Sequence, residues 1–146
     1  MELFIKTFDQ LTTKELHDIL QLRSEVFVVE QDCVYQDIDG KDEKALHVFG
    51  KKSGRVAAYT RCFAPGIYFK EAAIGRVVVP KDQRQYGYGH DIMKASVKAI
   101  YDQYGEQPIK LSAQTYLTQF YQSHGFKQVG EGYLEDGIPH IAMIRH

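Results

Sequence analysis

Residues 74–93, IGRVVVPKDQRQYGYGHDIM, decide how this chain is read. The stretch opens as an apolar, β-branched run to Val79, broken only by Gly75 and Arg76, the pattern of a strand buried on both faces. Pro80 has no amide to give a ladder and ends the strand. A polar turn, Lys81 to Gln85, leads to Gly87 and Gly89 on either side of Tyr88. From His90 onward Met93, Val97, Ile100 and Tyr104 mark one face of an amphipathic helix. Strand, glycine turn and helix together aim free backbone amides and the positive end of a helix dipole at an anion. Without a Cβ at Gly87 or Gly89, a phosphate can approach the backbone closely. The plainer alternative is a turn that uses glycine only for its dihedrals. A dinucleotide fingerprint would need a third glycine where Ile92 stands, and a P-loop would need Lys and Ser/Thr where His90 and Asp91 stand.

Composition narrows the classes. A chain of 146 residues suits a single domain, 1–146, that buries roughly 70% of its unfolded surface. Hydrophobic content of 44% and charged content of 25% are those of a soluble globular protein. A formal net charge of −1 offers no electrostatic footprint for nucleic acid, and no apolar run reaches the length of a membrane span. Cys33 and Cys62 form neither a metal spacing nor a disulfide framework, and the six histidines show no paired ligand spacing, so no metal is expected. With no leader pattern in MELFIKTFDQ, a cytoplasmic location is the expectation.

The remaining elements follow from periodicity. Leu3 to Phe8 alternates as a half-buried strand, and Thr12 with Glu15 forms a capping box before a helix carrying Leu16, Ile19, Leu20, Arg23 and Phe27. Arg23 on that stripe reads either as a snorkelling surface arginine or as a group that binds substrate. The run from Ser24 to Gly40 turns acidic, with Glu30, Asp32, Asp37 and Asp39. It is either a solvated loop or a rim that attracts a cationic amine. Ala45–Lys51 and Arg55–Phe63 read as a hairpin, Ile109–Ala113 as a short strand, and Thr115 as the cap of a helix bearing Leu117, Phe120, Tyr121 and His124. Gly125 suits the left-handed position that ends this helix, and Phe126–Val129 with Ile138–Ile144 reads as a final antiparallel pair. The order predicts a mixed α/β domain with a largely antiparallel sheet of six to seven strands and about four covering helices.

Arg84-Gln-Tyr-Gly87-Tyr-Gly89, after Val78-Val79-Pro80, resembles the R/Q-x-x-G-x-G/A signature of GNAT acetyltransferases. Tyr121-x-x-x-Gly125-Phe126 resembles the family's Y-x-x-x-G-F motif. VFVVEQ at 26–31, YQDIDG at 35–40, GRVVV at 75–79 and EDGIPHI at 135–141 are similar to the ElaA subfamily. The resemblance implies a GNAT fold and acetyl-CoA (coenzyme A) as donor, lying beside Val77, Val78 and Val79. Its pyrophosphate would meet the stretch Arg84, Gln85, Tyr86, Gly87, Tyr88, Gly89 and His90, and Gln114 stands where the family often has an asparagine. Tyr121 would protonate the departing thiolate. The family often places a glutamate on the central strand as base. Ala72 to Val79 has none, leaving Glu30, His47 and, preferred, His140. Arg23, Glu30 and His47 are the candidates for contact with a small-molecule or peptide amine, and the family leaves room for a homodimer. Two other readings are a non-catalytic acyl-CoA-binding module and, from LRSEVF at 22–27, an enzyme like the acyl-homoserine-lactone synthases.

Overall fold

The computed structural model describes residues 1–146. One seven-stranded sheet contains β1 (Glu2–Thr7), β2 (Leu46–Lys52), β3 (Arg55–Phe63), β4 (Ala72–Val78), β5 (Ile109–Gln114), β6 (Lys127–Glu135) and β7 (Ile138–Arg145). Their order across it is β1-β2-β3-β4-β5-β7-β6, and only the β4–β5 pair is parallel. The helices are α1 (Thr13–Arg23), α2 (Tyr88–Tyr104) and α3 (Thr118–Gln122), with a π-helical stretch, Ser24–Glu30, prolonging α1. No helix is long and apolar enough to cross a membrane.

Local chemistry explains the element ends. Thr12 Oγ1 accepts the Glu15 amide at 3.0 Å while Glu15 Oε1 accepts the Thr12 amide at 2.9 Å, the reciprocal box that starts α1. Ser53 and Gly54, both at positive φ, turn β2 into β3. Sheet residues alternate between two apolar layers. Val48, Ala58 and Ile74 pack with Ile92, Met93 and Ile100 of α2, whereas Phe49 and Tyr59 pack with Ile19 and Leu22 of α1. Burying each large aliphatic chain is worth about 1.5–3 kcal/mol, so these two layers hold the sheet between its helices.

Strand β4 departs from the regular strand that its sequence predicts. In an unbroken strand Ile74 and Val78 would share a face. Here Ile74 belongs to the α2 layer and Val78 to the α1 layer. The cause is a bulge: Gly75 pairs with Arg61 and Val78 with Tyr59, leaving Arg76 at φ 51 as the extra residue. Val77 and Val79 are thereby turned to the α2 side. On its other edge β4 pairs with β5 only at Ala72–Ile109 and Ala73–Lys110. Beyond these pairs the two strands part, and the functional cleft begins there.

Candidate active site

The opening between β4 and β5 continues into a cleft of about 930 Å³, open mouth included. Gly75, Arg76 and Val77 of β4 line it on one side, and Gln114, Tyr121, Glu135 and His140 on the other. At the end of β4, Pro80 leads into a six-residue 3₁₀ segment, Lys81–Tyr86. Gly87 at φ 73 reverses the chain so that α2 starts at Tyr88, two residues before the periodicity indicated. The His90 amide donates to the Gly87 carbonyl at 3.1 Å, which leaves the amides of Tyr88 and Gly89 at the start of α2 to face an anion.

The two glycines serve different ends. Gly87 occupies the left-handed region with open space around it, and Gly89 lies inside the helix, where a Cβ would stand 3.4 Å from the Phe120 ring. Gln85 and Tyr86 are exposed beside them. Lys52, which the sequence did not single out, brings its ammonium to 4.0 Å from the Tyr86 ring centre and adds a cation to this corner.

Arg84 secures the loop: its Nε donates to the Val79 carbonyl at 3.0 Å and its guanidinium pairs with Glu30 at 2.8 Å. Glu30, read above as an acceptor contact or base, is therefore tied to the donor loop and does not line the cleft.

Tyr121 is 5% exposed and packs edge-on against Phe120 and Phe126. The residue lines the cleft. Burial, with Tyr116 nearby, pushes the phenol well above its ordinary value, so it stays protonated and is a donor of protons rather than a base. His140 faces Gln114 across the β5–β7 ladder. The Nδ1–H of His140 donates to the Ile138 carbonyl at 2.7 Å, while Nε2 lies 3.3 Å from a Glu135 oxygen. A carbonyl only accepts, so Nδ1 keeps its proton and Nε2 is the nitrogen left to exchange one. Once protonated there, the imidazolium gains the Glu135 carboxylate as its counter-ion.

Arg23 and His47 lie elsewhere. Arg23 is fully buried: Nε donates to Asp37 at 3.0 Å, Nη1 to Asp42 at 2.7 Å and Nη2 to the Asp37 carbonyl at 3.0 Å. All three nitrogens are engaged, so it is neither a surface arginine nor a substrate contact. His47, also fully buried, donates Nε2–H to the Asp42 carbonyl and accepts the Tyr59 hydroxyl at Nδ1. Burial pushes its protonation down, and it serves the core. In the acidic run Asp32 is exposed, whereas Asp37 and Asp39 form neither a solvated loop nor an open rim. Asp37, Asp39 and Asp42 close around Arg23, Arg61 and Arg76. Burial raises the Asp39 and Asp42 carboxyls, but the arginines outweigh it and hold both below the usual carboxylate range. Sequence reasoning missed Arg61, Tyr35 and Glu135 and passed over Arg76; an arginine inside an apolar strand was the available signal, because a buried charge needs a partner.

Comparison with known proteins places the fold in a family. The acetyltransferase (GNAT) domain family matches residues 9–146, and the chain belongs to that family. Within it the chain is ElaA-like. It is 41% identical over 138 residues to the protein ElaA of Escherichia coli K12, covering 93% of this chain and 90% of that protein. The crystal structure of Escherichia coli ElaA superposes with a TM-score of 0.93, at 39% identity over 99% of each chain. An acyl-CoA N-acyltransferase from Pseudomonas aeruginosa superposes at 0.94, with 41% identity and full coverage of both chains. A CoA-dependent acyl-homoserine lactone synthase, BjaI, shares the fold alone: TM-score 0.80 at 16% identity, over 98% of this chain and 82% of that one.

Proposed function

We propose that the chain is an acetyl-CoA-dependent N-acyltransferase that passes its acyl group to an amine by direct attack, with no acyl-enzyme. The observation that carries this reading is Tyr121, a tyrosine only 5% exposed that lines the cleft where β4 and β5 part. The residues present fit the donor. The first-turn amides of α2, open space at Gly87 and the Lys52 cation suit a pyrophosphate, and the free edge of β4 at Val77 and Val79 suits the amide-bearing arm. Bound acetyl-CoA supplies a thioester carbonyl and a thiolate leaving group. The amine nitrogen bonds to the carbonyl carbon as the C–S bond breaks. Tyr121 gives its proton to the departing sulfur, and His140 Nε2 takes the proton that the amine sheds. Tyr121 regains a proton from water. Two free thiols, Cys33 and Cys62, suit a reduced cytoplasmic setting.

A non-catalytic module would account for the absence of a carboxylate on β4. The cleft instead contains the His140–Glu135 pair, which favours chemistry. Calorimetric titration of acetyl-CoA, with thiol release followed in parallel, tests the proposal. Wild type binds and releases thiol in the presence of an acceptor. His140→Gln binds equally but loses turnover by roughly 100-fold. Absence of acetyl-CoA binding to the wild type would refute the reading.

A further inference from the structure

The acceptor side of the cleft carries a feature that the transfer reaction does not use. Arg61 is 1% exposed, and although its Nη atoms reach Asp39 and Asp42, its Nε has no hydrogen-bond partner. Arg76, the extra residue of the β4 bulge, shows the same pattern. Its Nε lies 2.8 Å from Asp37 Oδ1 without hydrogen-bond alignment, and only Nη2 donates, to the Asp37 carbonyl at 3.2 Å. Nη1 of Arg76 has no partner in the protein. Both arginines line the cleft. Unpartnered guanidinium N–H groups next to a cavity are rare in native folds, because each forfeits its hydrogen bonds to water on burial.

We propose that this cleft, on the acyltransferase reading above, accepts an amine that also bears a carboxylate: an amino acid with an apolar side chain. The carboxylate seats on Nη1 of Arg76, the guanidinium nitrogen that Asp37 and Asp39 leave open, with Arg61 behind it. Several observations converge on that chemistry. A planar guanidinium matches a two-oxygen anion in geometry, and the bulge at Arg76 re-aims that side chain where β4 leaves β5. Three aspartates already balance the three arginines, so recognition comes from directed donors rather than from surplus charge. Across β5, Glu135 and His140 form a wall suited to the ammonium end, where the proton must leave. Between the walls, Phe27, Phe63 and Tyr68 offer an apolar bed. A bare polyamine would leave the arginine donors unmet.

The test is thiol release from acetyl-CoA, with the N-acetyl product identified by mass spectrometry. The panel is the proteinogenic L-amino acids, each beside its α-carboxamide and its decarboxylated amine. The expected result is transfer to apolar acids, phenylalanine and leucine among them, with kcat/KM at least tenfold above the matched amides. Arg76→Gln raises KM for the acid and removes the preference for acid over amide, while acetyl-CoA binding is unchanged. Arg76→Lys keeps a cation beside Asp37, and so the fold, but recovers the preference only in part, because it lacks the planar fork. Calorimetry with N-acetyl-L-phenylalanine reads the same site without turnover: wild type binds it and Arg76→Gln does not. Acids and amides used equally, or transfer to none of the acids, overturns the proposal while intact acetyl-CoA binding leaves the acyltransferase reading standing. Failure to bind acetyl-CoA overturns both.

Discussion

The two sides of the cleft are built on different principles. The side proposed for the donor is local: the end of β4, Pro80, a short 3₁₀ segment, Gly87 and the start of α2 follow one another within about a dozen residues. Its chemistry is backbone chemistry, and it needs little from the rest of the chain beyond the Arg84–Glu30 strap and Lys52. The side proposed for the acceptor, with the arginine–aspartate cluster behind it, is assembled from afar. Arg23 ends α1, Arg61 lies in β3 and Arg76 in β4, and all three converge on aspartates of the segment after the π-helical stretch. A site made from backbone direction tolerates side-chain change. One made from buried ion pairs transmits every change to the fold, since a charge stripped of its partner remains in a low-dielectric interior.

That contrast is open to attack by mutation. Arg23→Ala should do the most damage: Asp37 and Asp42 lose a buried partner, and stability falls by about 3–5 kcal/mol, read as a denaturation midpoint. The sign with pH follows from the depressed carboxyls. Their contribution is complete above the ordinary carboxylate value and is lost as pH falls below about 4, so the wild type should soften in acid more than the variant does. A variant as stable as the wild type would mean that the cluster is not structural.

Tyr121→Phe should leave the fold and acetyl-CoA affinity intact and lower kcat on the order of 100-fold, about 2.7 kcal/mol of barrier. Unchanged kcat at every pH with a true acceptor would dismiss its role as acid. Gly87→Asp acts on the donor side alone. It puts a Cβ and a negative charge beside the first-turn amides at φ 73, and acetyl-CoA affinity should drop about tenfold or more with a small loss of stability. If affinity survives, the pyrophosphate sits elsewhere. Thr12→Ala, distant from both sides, should cost about 1 kcal/mol of stability through the lost cap and change no binding constant; a change in acetyl-CoA affinity would show that α1 is coupled to the donor loop.

Legibility followed the same division. The α/β order, the capping box at Thr12, the left-handed Gly125 and the glycine turn into α2 were readable because each depends on neighbours within a few residues. Strand parity in β4 was not. The bulge that moves Val78 to the opposite layer from Ile74 is visible only as a pairing irregularity with β3, and a run of apolar residues looks the same with or without it. The acidic run between Glu30 and Asp42 was visible as charge but not as structure, because its partners lie up to 54 residues away in sequence.

By itself, then, the chain's sequence determined the order of elements, the anion-ready turn and the tyrosine that follows β5, since hydrogen bonding, glycine freedom and apolar spacing act over one or two helical turns. Tertiary structure alone decided that Arg23 and His47 are buried in the core, that Glu30 braces the donor loop, and that Arg61 and Arg76 face the cleft with donors to spare. Those outcomes depend on which distant charge comes within about 3 Å of which, and only the folded sheet sets that distance.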